Sequence, residues 1–286
     1  MKKYMAMATA LCLALSLAAC GGSSSSSSSA AASSAPASSA AASSEAASSQ
    51  AASGELTTVV SGKLTMSTNA AFPPYEMTTD DGSFEGIDVE IAGAIADKLG
   101  LELQIDDMDF DAALLAVQQG KSDMVMAGVT VNDERLAVMD FSDSYATGIQ
   151  VVIVPENSDI ASIDDLAGKK IGTQRGTTGY LYCSDTPENG GFGEDAVVAY
   201  DDGLTAVRAL LNGQVDCVVI DNAPAQSFVE SNPGLKILDT EFAVEDYAIG
   251  VNKGNTALLD AINGALAELT EDGTVQSIID KYIPAE

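Results

Sequence analysis

The chain of 286 residues contains no histidine and no tryptophan, and its 13 basic residues are far outnumbered by 42 acidic ones. The absence of histidine excludes a histidine-based triad and acid–base catalysis by imidazole, although a carboxylate base remains open. It also removes the commonest transition-metal ligand, and the four cysteines are not clustered. A formal net charge of −29 repels nucleic acid. We therefore expect no metal, no cofactor and no nucleic-acid partner.

Long apolar runs are also scarce. The apolar run at residues 5–19 follows Lys2 and Lys3 and is too short to span a bilayer comfortably. A positive start, an apolar run and small residues before Cys20 are typical of a secretory signal peptide, which we place at residues 1–19. Residues 17–21 (LAACG) resemble the bacterial lipobox, which implies lipidation of Cys20; an ordinary signal peptide is the alternative.

Residues 20–54 consist almost entirely of serine, alanine and glycine after the cysteine. Such a segment has no large apolar side chains to bury, so we predict a disordered linker. We expect an exported protein, anchored by lipid to the cell membrane and facing the extracellular side or the periplasm. In the folded part, an exported protein permits a disulfide between Cys183 and Cys217, and two separate buried thiols are the alternative.

Hydrophobic periodicity predicts an α/β fold. A strand at 63–68 is followed by a loop at 69–82, and isoleucines every fourth residue then predict a helix that ends at Gly100. A strand near 101–105, a helix capped by Asp111 and a buried strand at 123–131 complete a β-α-β-α-β order. A similar order recurs over residues 149–282. Two such blocks predict two lobes with a cleft between them.

Ligands of open α/β sheets bind beyond the carboxyl ends of the strands, so the residues that follow strands are the candidate site. Four motifs lie there or nearby: residues 68–76 (TNAAFPPYE), 86–91 (GIDVEI), 127–135 (AGVTVNDER) and 140–145 (DFSDSY). In this order and spacing they resemble the amino-acid-binding proteins of ABC importers, the extracellular solute-binding family 3, over residues 64–283.

The resemblance implies a two-lobed, periplasmic-binding-protein-like clamp of type II, with two hinge strands near 147–151 and 243–247. Lobe 1 would comprise residues 55–147 and 245–286, and lobe 2 residues 148–244. It also implies a monomer that binds a free amino acid and delivers it to a membrane permease.

A free amino acid presents a carboxylate and an ammonium, and both must be paired when buried. Arg135 can hold a carboxylate with two parallel hydrogen bonds, which is the role that the resemblance gives it. The alternative is a surface arginine paired with Asp133 or Glu134. Thr178 stands at a predicted helix start, where free N–H groups attract anions, or it simply caps that helix.

Asp221 ends a predicted apolar strand, and the resemblance places it opposite the ligand ammonium. The alternative is an N-cap for a helix that begins at Ala223. By the same resemblance, Gly128 would offer its carbonyl and Thr130 its hydroxyl to the ligand. Gly128 would also let the backbone approach the ligand closely.

The resemblance implies that Phe72 and Phe110 flank the ligand side chain, although each is also compatible with an ordinary core position. A flat aromatic slot suits a long side chain, and a cationic one gains from cation–π contact. Asn69 and Gln174 would read the end of that side chain, and the direction of Glu76 is open. These residues favour a polar ligand, cationic or neutral.

Two other functions fit the same sequence. The fold also occurs in a few dehydratases of cyclic acids, in which Arg135 and Asp221 would bind a substrate. A lipoprotein on a long linker could instead serve adhesion or sensing. The sequence favours binding without catalysis.

Overall fold

The computed structural model describes residues 56–284. The predicted signal peptide, Cys20 and the serine-rich linker lie outside the described residues. Within the described part, no helix has both the length and the apolar character needed to cross a membrane.

Most strands belong to one mixed sheet, and three short ones form a separate small sheet near the start of the fold. Within residues 56–284 the strands are β1 (Lys63–Thr68), β2 (Ala71–Phe72), β3 (Glu76–Thr78), β4 (Phe84–Glu85), β5 (Glu102–Asp107), β6 (Met124–Val125), β7 (Met139–Pro155), β8 (Ile171–Gln174), β9 (Val197–Tyr200), β10 (Cys217–Asp221), β11 (Leu235–Ile237) and β12 (Ala243–Asn252).

The helices pack on the large sheet and on one another. They are α1 (Ile87–Leu99), α2 (Phe110–Gln118), α3 (Asp133–Leu136), α4 (Thr178–Ser184), α5 (Gly203–Leu211), α6 (Asn222–Ser231), α7 (Thr256–Glu271) and α8 (Thr274–Tyr282), with single 3₁₀ turns at Ile163–Leu166, Pro187–Asn189 and Glu194–Ala196.

The large sheet runs in the order β5-β1-β6-β12-β7-β10-β8-β9, and β11 pairs with β7. Strands on the β5 side come from predicted lobe 1 and those on the β9 side from predicted lobe 2. The long antiparallel pair β7 and β12 joins the two sides, from Ala243 opposite Gln150 to Asn252 opposite Met139. Both predicted hinge segments lie in this pair, and the lobe boundaries themselves stay a prediction.

Helix α1 shows how the sequence pattern produces the packing. Ile87, Ile91 and Ile95 are fully buried because a four-residue spacing places them on one helix face. Burial of each such side chain contributes about 1.5–3 kcal/mol. The helix ends where predicted, at Gly100, whose φ of 69° is left-handed and is adopted readily by glycine.

Three local predictions were wrong. The expected strand at 123–131 is limited to β6, because Gly128 with φ 54° interrupts the extended backbone. The expected loop at 69–82 contains β2 and β3. Helix α2 follows Asp109 rather than a cap at Asp111, which lies inside the first turn. The sequence also missed the short strands β9 and β11.

Cys183 on α4 and Cys217 on β10 are unbonded thiols that are buried in the same apolar cluster. Burial raises the pKa of each to about 12, which keeps both as unreactive thiols.

Candidate functional site

All the residues predicted to bind a ligand line one cavity. The cavity lies where strands of the two predicted lobes end beside β7. The structure therefore brings the predicted set together, while their individual roles stay predictions. The predicted residues that line it are Asn69, Phe72, Phe110, Gly128, Thr130, Arg135, Gln174, Thr178 and Asp221.

Arg135 lies in α3, whose first turn is capped by the Asn132 side chain. Only 6% of Arg135 is exposed. Its Nη1 donates to the carbonyl of Thr130 at 2.7 Å, and its Nη2 donates to the carbonyl of Gly176 at 3.2 Å. No salt bridge within residues 56–284 involves Arg135, so the alternative pairing with Asp133 or Glu134 was wrong.

The buried guanidinium is surrounded by weak partners. The Cζ atom of Arg135 lies 5.4 Å from the centroid of the Phe110 ring, within the range of a cation–π contact. Burial lowers the pKa of Arg135, and the carboxylate of Glu245 acts in the opposite direction. Arginine stays protonated at any physiological pH. The result is a buried cation held by carbonyl dipoles and an aromatic face, with no anion in direct contact.

Thr178 is the first residue of α4, and the N-cap is Thr177, whose side chain accepts from the amide of Tyr180. The alternative in which Thr178 caps the helix was therefore wrong. The Thr178 hydroxyl instead donates to Oε2 of Glu245 at 3.0 Å, and the residue lines the cavity.

Asp221 is buried and faces the same cavity. Its Oδ2 accepts from Nε2 of Gln150 at 2.8 Å, and its Oδ1 accepts from the Tyr247 hydroxyl. Asp221 occupies the N-cap position of α6, as the alternative expected, but its side chain makes no capping hydrogen bond to that helix. Burial, aided by Glu245, raises the pKa of Asp221 to about 7, although both hydrogen bonds oppose the rise.

Two amide side chains meet across the cavity from opposite predicted lobes. Gln174 Nε2 donates to Asn69 Oδ1 at 2.9 Å and to the carbonyl of Asp201 at 3.2 Å. Asn69 Nδ2 in turn donates to the carbonyl of Met108 at 2.9 Å. These bonds fix which way each amide points, and they hold the two sides in contact.

Phe72 forms part of an aromatic wall. Its ring stacks on Tyr75 at 5.8 Å between centroids, and Tyr75 meets the Tyr247 ring edge-on at 5.2 Å. A Cβ at Gly128 would come within 2.8 Å of the Phe72 ring. Glycine at 128 is therefore needed both for its positive φ and for the close approach of this ring.

Sequence reasoning missed Glu245, which is 4% exposed on β12. Its Oε2 accepts at 3.0 Å from the hydroxyls of Thr130 and Thr178 and from Nε2 of Gln150. One carboxylate oxygen thus joins both predicted lobes. The only signal in the sequence was alternation: Glu245 and Tyr247 share one face of a strand, and both side chains bond to residues that line the cavity.

The sequence also left the direction of Glu76 open and did not identify Asp88. Glu76 lines the cavity and is fully buried, and neither of its carboxylate oxygens has a hydrogen-bond partner. Asp88 accepts from the amide of Gly128 at 2.9 Å through Oδ2. Burial, together with Asp88, raises the pKa of Glu76 well above its ordinary value, and burial raises that of Asp88 to about 6.

Gly148 on β7 leaves the space that the Tyr247 ring occupies, since a Cβ there would collide with the ring and its hydroxyl. We predict that Gly148→Ala displaces Tyr247 from Asp221 and lowers the free energy of unfolding by about 1–3 kcal/mol, the usual cost of overpacking. Urea denaturation measures this loss. The matched control is Gly93→Ala in α1, where an added Cβ meets nothing within 4 Å. Equal stability of the two variants would contradict the steric role of Gly148.

Comparisons with known proteins identify relatives of the whole folded part of the chain. The chain is 32% identical to a probable histidine-binding protein of Neisseria gonorrhoeae, over 100% of this chain and 97% of that protein. It is 29% identical to the arginine-binding extracellular protein ArtP of Bacillus subtilis, with 100% of both covered. An ancestral arginine-binding protein, solved bound to arginine, is 40% identical with a TM-score of 0.72, over 78% of this chain and 98% of that chain.

The profile of one family, described as bacterial extracellular solute-binding proteins, family 3, matches residues 64–285. These relatives are binding proteins rather than enzymes, and the mixed sheet with its shared strand pair fits their two-lobed clamp of type II. The chain belongs to the bacterial extracellular solute-binding proteins of family 3.

Proposed function

We propose that the cavity binds a free L-amino acid with a cationic side chain, which the protein passes to the permease of an ABC importer. The observation that carries this proposal is the pair of opposite charges on one small cavity. Arg135 and Asp221 both line it, and both are more than nine-tenths buried. A zwitterion supplies the counter-charge that each of them lacks.

The carboxylate end of the ligand would bind Arg135. The guanidinium contacts only two carbonyl oxygens, which are dipoles and do not neutralise its charge. A ligand carboxylate would add charge-assisted hydrogen bonds. Thr177 and Thr178 at the N terminus of α4 line the same cavity, and this end of the helix favours the same anion.

The ammonium end would bind Asp221. Gln150 and Tyr247 already donate to this carboxylate, and this fixes its orientation. The ionised form is the one that attracts an ammonium. Since the pKa of Asp221 is about 7, affinity for any amino acid should fall as the pH drops below that value.

The charge that remains selects the side chain. After the zwitterion has paired with Arg135 and Asp221, Glu76 is the remaining acidic residue among those lining the cavity. A cationic side chain would neutralise it, whereas an acidic side chain would add like charge to a buried acidic wall. Relatives named as arginine-binding and histidine-binding proteins support this choice.

Isothermal calorimetry with the common L-amino acids tests the proposal. We expect arginine or lysine to bind more tightly than glutamine, and glutamate not to bind. Arg135→Ala should cost about 2–5 kcal/mol of binding free energy, because it leaves the ligand carboxylate unpaired. Arg208→Ala on the exposed side of α5 is the matched control. Tight binding by Arg135→Ala, or tight binding of glutamate, would refute the assignment.

Glu245 supports closure of the clamp. It accepts hydrogen bonds from Thr130 and Thr178, which belong to different predicted lobes, so opening would have to break at least one of these bonds. We propose that Glu245 stabilises the closed form before a ligand arrives. A binding-competent form that is already populated costs the ligand less free energy.

Replacement of Glu245 by alanine should therefore shift the ligand-free protein toward an open form. We expect a larger radius of gyration by small-angle X-ray scattering and an affinity about tenfold weaker, since closure must then be driven by the ligand alone. Asp246→Asn changes an exposed acidic neighbour on the same strand and serves as the control. An unchanged radius with unchanged affinity would exclude this role.

We further propose that Cys20 carries lipid and anchors the protein at the outer side of the cell membrane. The support is the lipobox-like segment at 17–21 and the serine-rich segment that follows it. Metabolic labelling with a palmitate analogue should mark the natural chain and Cys12→Ser but not Cys20→Ser. The Cys20→Ser protein should also leave the membrane fraction. Label that persists on Cys20→Ser would refute the anchor.

A further inference from the structure

Glu76, which lines the cavity, has a second buried carboxyl group beside it. Glu76 on β3 and Asp88 on α1 are both fully buried, and the amide of Asp88 donates to the carbonyl of Tyr75, the residue before Glu76, at 2.9 Å. Neither oxygen of Glu76 has a partner, nor does Oδ1 of Asp88. Two ionised carboxylates that are buried as neighbours repel each other, and no bond to the protein offsets the charge of Glu76, so a proton on one of them is favoured.

Within residues 56–284, no salt bridge to Lys or Arg involves Glu76 or Asp88. The donors beside Asp88 are neutral: the amide of Gly128, which donates to its Oδ2, and the hydroxyl of Tyr145. The one basic side chain on the cavity wall, Arg135, lies on α3 and contacts Thr130 and Gly176. The titratable groups that face Glu76 from the surrounding elements are Asp88, Asp107, Asp221, Tyr75 and Tyr145, with Tyr247 packed against Tyr75.

We propose that Glu76 and Asp88 share one proton in the ligand-free protein, and that a cationic ligand side chain displaces it. The exchange rests on the proposed function. The O–H bond of the Glu76 carboxylic acid breaks, its proton passes to solvent, and the resulting carboxylate pairs with the ligand cation. Before binding, the two carboxyl groups carry one proton and one negative charge. After binding, both are ionised and the ligand cation replaces the proton, so the net charge of the group is unchanged.

The surroundings favour this exchange. Burial and the neighbouring acidic groups raise the pKa of Glu76 well above its ordinary value, which favours the protonated form. A cation beside the carboxylate acts in the opposite direction and lowers its pKa. A neutral side chain offers no such compensation, so Glu76 keeps its proton when a neutral ligand binds.

Arginine and citrulline separate these two cases. They have nearly the same shape, and only arginine carries a side-chain charge, which does not titrate in the physiological range. Calorimetry at pH 8 in phosphate and in Tris counts the protons released, because the two buffers differ in ionisation enthalpy. At that pH Asp221, with a pKa of about 7, is mostly ionised and contributes little to either count. We expect arginine to release more protons than citrulline, by an amount of up to about one that equals the fraction of Glu76 protonated in the free protein.

The wild-type protein also provides a test without any substitution. Below the pKa of Glu76, arginine must displace a proton and citrulline need not. The ratio of citrulline to arginine dissociation constants should therefore rise with pH, by up to about tenfold per unit, and level off once Glu76 is ionised in the free protein. A ratio that is flat between pH 5 and 9, where tight binding persists, would overturn the exchange.

Glu76→Gln keeps the size of the side chain and its ability to donate to Asp88. In this variant the extra proton should disappear, and arginine affinity should fall at least about tenfold, while citrulline affinity changes less than about threefold. Glu102→Gln, at an exposed ion pair with Lys63, is the matched control. If the wild-type protein binds arginine tightly but releases the same number of protons with arginine as with citrulline, the exchange is rejected and the proposed function is not. Absence of binding by every cationic amino acid rejects the exchange together with the proposed function.

Discussion

The site depends on a guanidinium that is buried without an anion in contact. Arg135 is 6% exposed and is held by two carbonyl oxygens and the face of Phe110. Taking a charge out of water costs several kcal/mol unless opposite charge or dipoles replace the water. The fold meets that cost only partly, through backbone dipoles and the more distant charge of Glu245. The part of this desolvation cost that the protein does not offset favours the binding of an anionic ligand group at Arg135.

The two strands that join the predicted lobes are part of the site rather than a passive connection. Gln150 on β7 donates to Asp221 and Glu245, and Glu245 and Tyr247 on β12 bond to groups on both sides of the cavity. Gly148 leaves room for the Tyr247 ring between these strands. A change of angle between the lobes must therefore rearrange the hydrogen bonds that orient Asp221, which couples closure to the binding groups.

The sequence could predict the elements whose pattern is local. Helix α1 follows from isoleucines at a four-residue spacing, and the placement of Arg135 and Asp221 after strands follows from the motifs around them. Gln150, Tyr247 and Glu245 could not be found in this way, because they read as ordinary strand residues and become neighbours only when β7 pairs with β12. The extent of β6 was also unpredictable, since it depends on the positive φ of one glycine.

The charge of the ligand side chain is the feature that the sequence alone predicts least well. At the position expected to read that side chain the sequence has Asn69, a neutral residue, which argues weakly against a cationic ligand. The structure shows that the amide of Asn69 is already engaged by Gln174 and Met108, whereas Glu76, a few residues later, is buried on the cavity with both oxygens free. The cavity therefore does contain an acidic side chain, at position 76 rather than at position 69. Whether Glu76 attracts a cation or holds a proton is then set by its neighbour Asp88, on a helix whose place beneath the cavity no local pattern reveals.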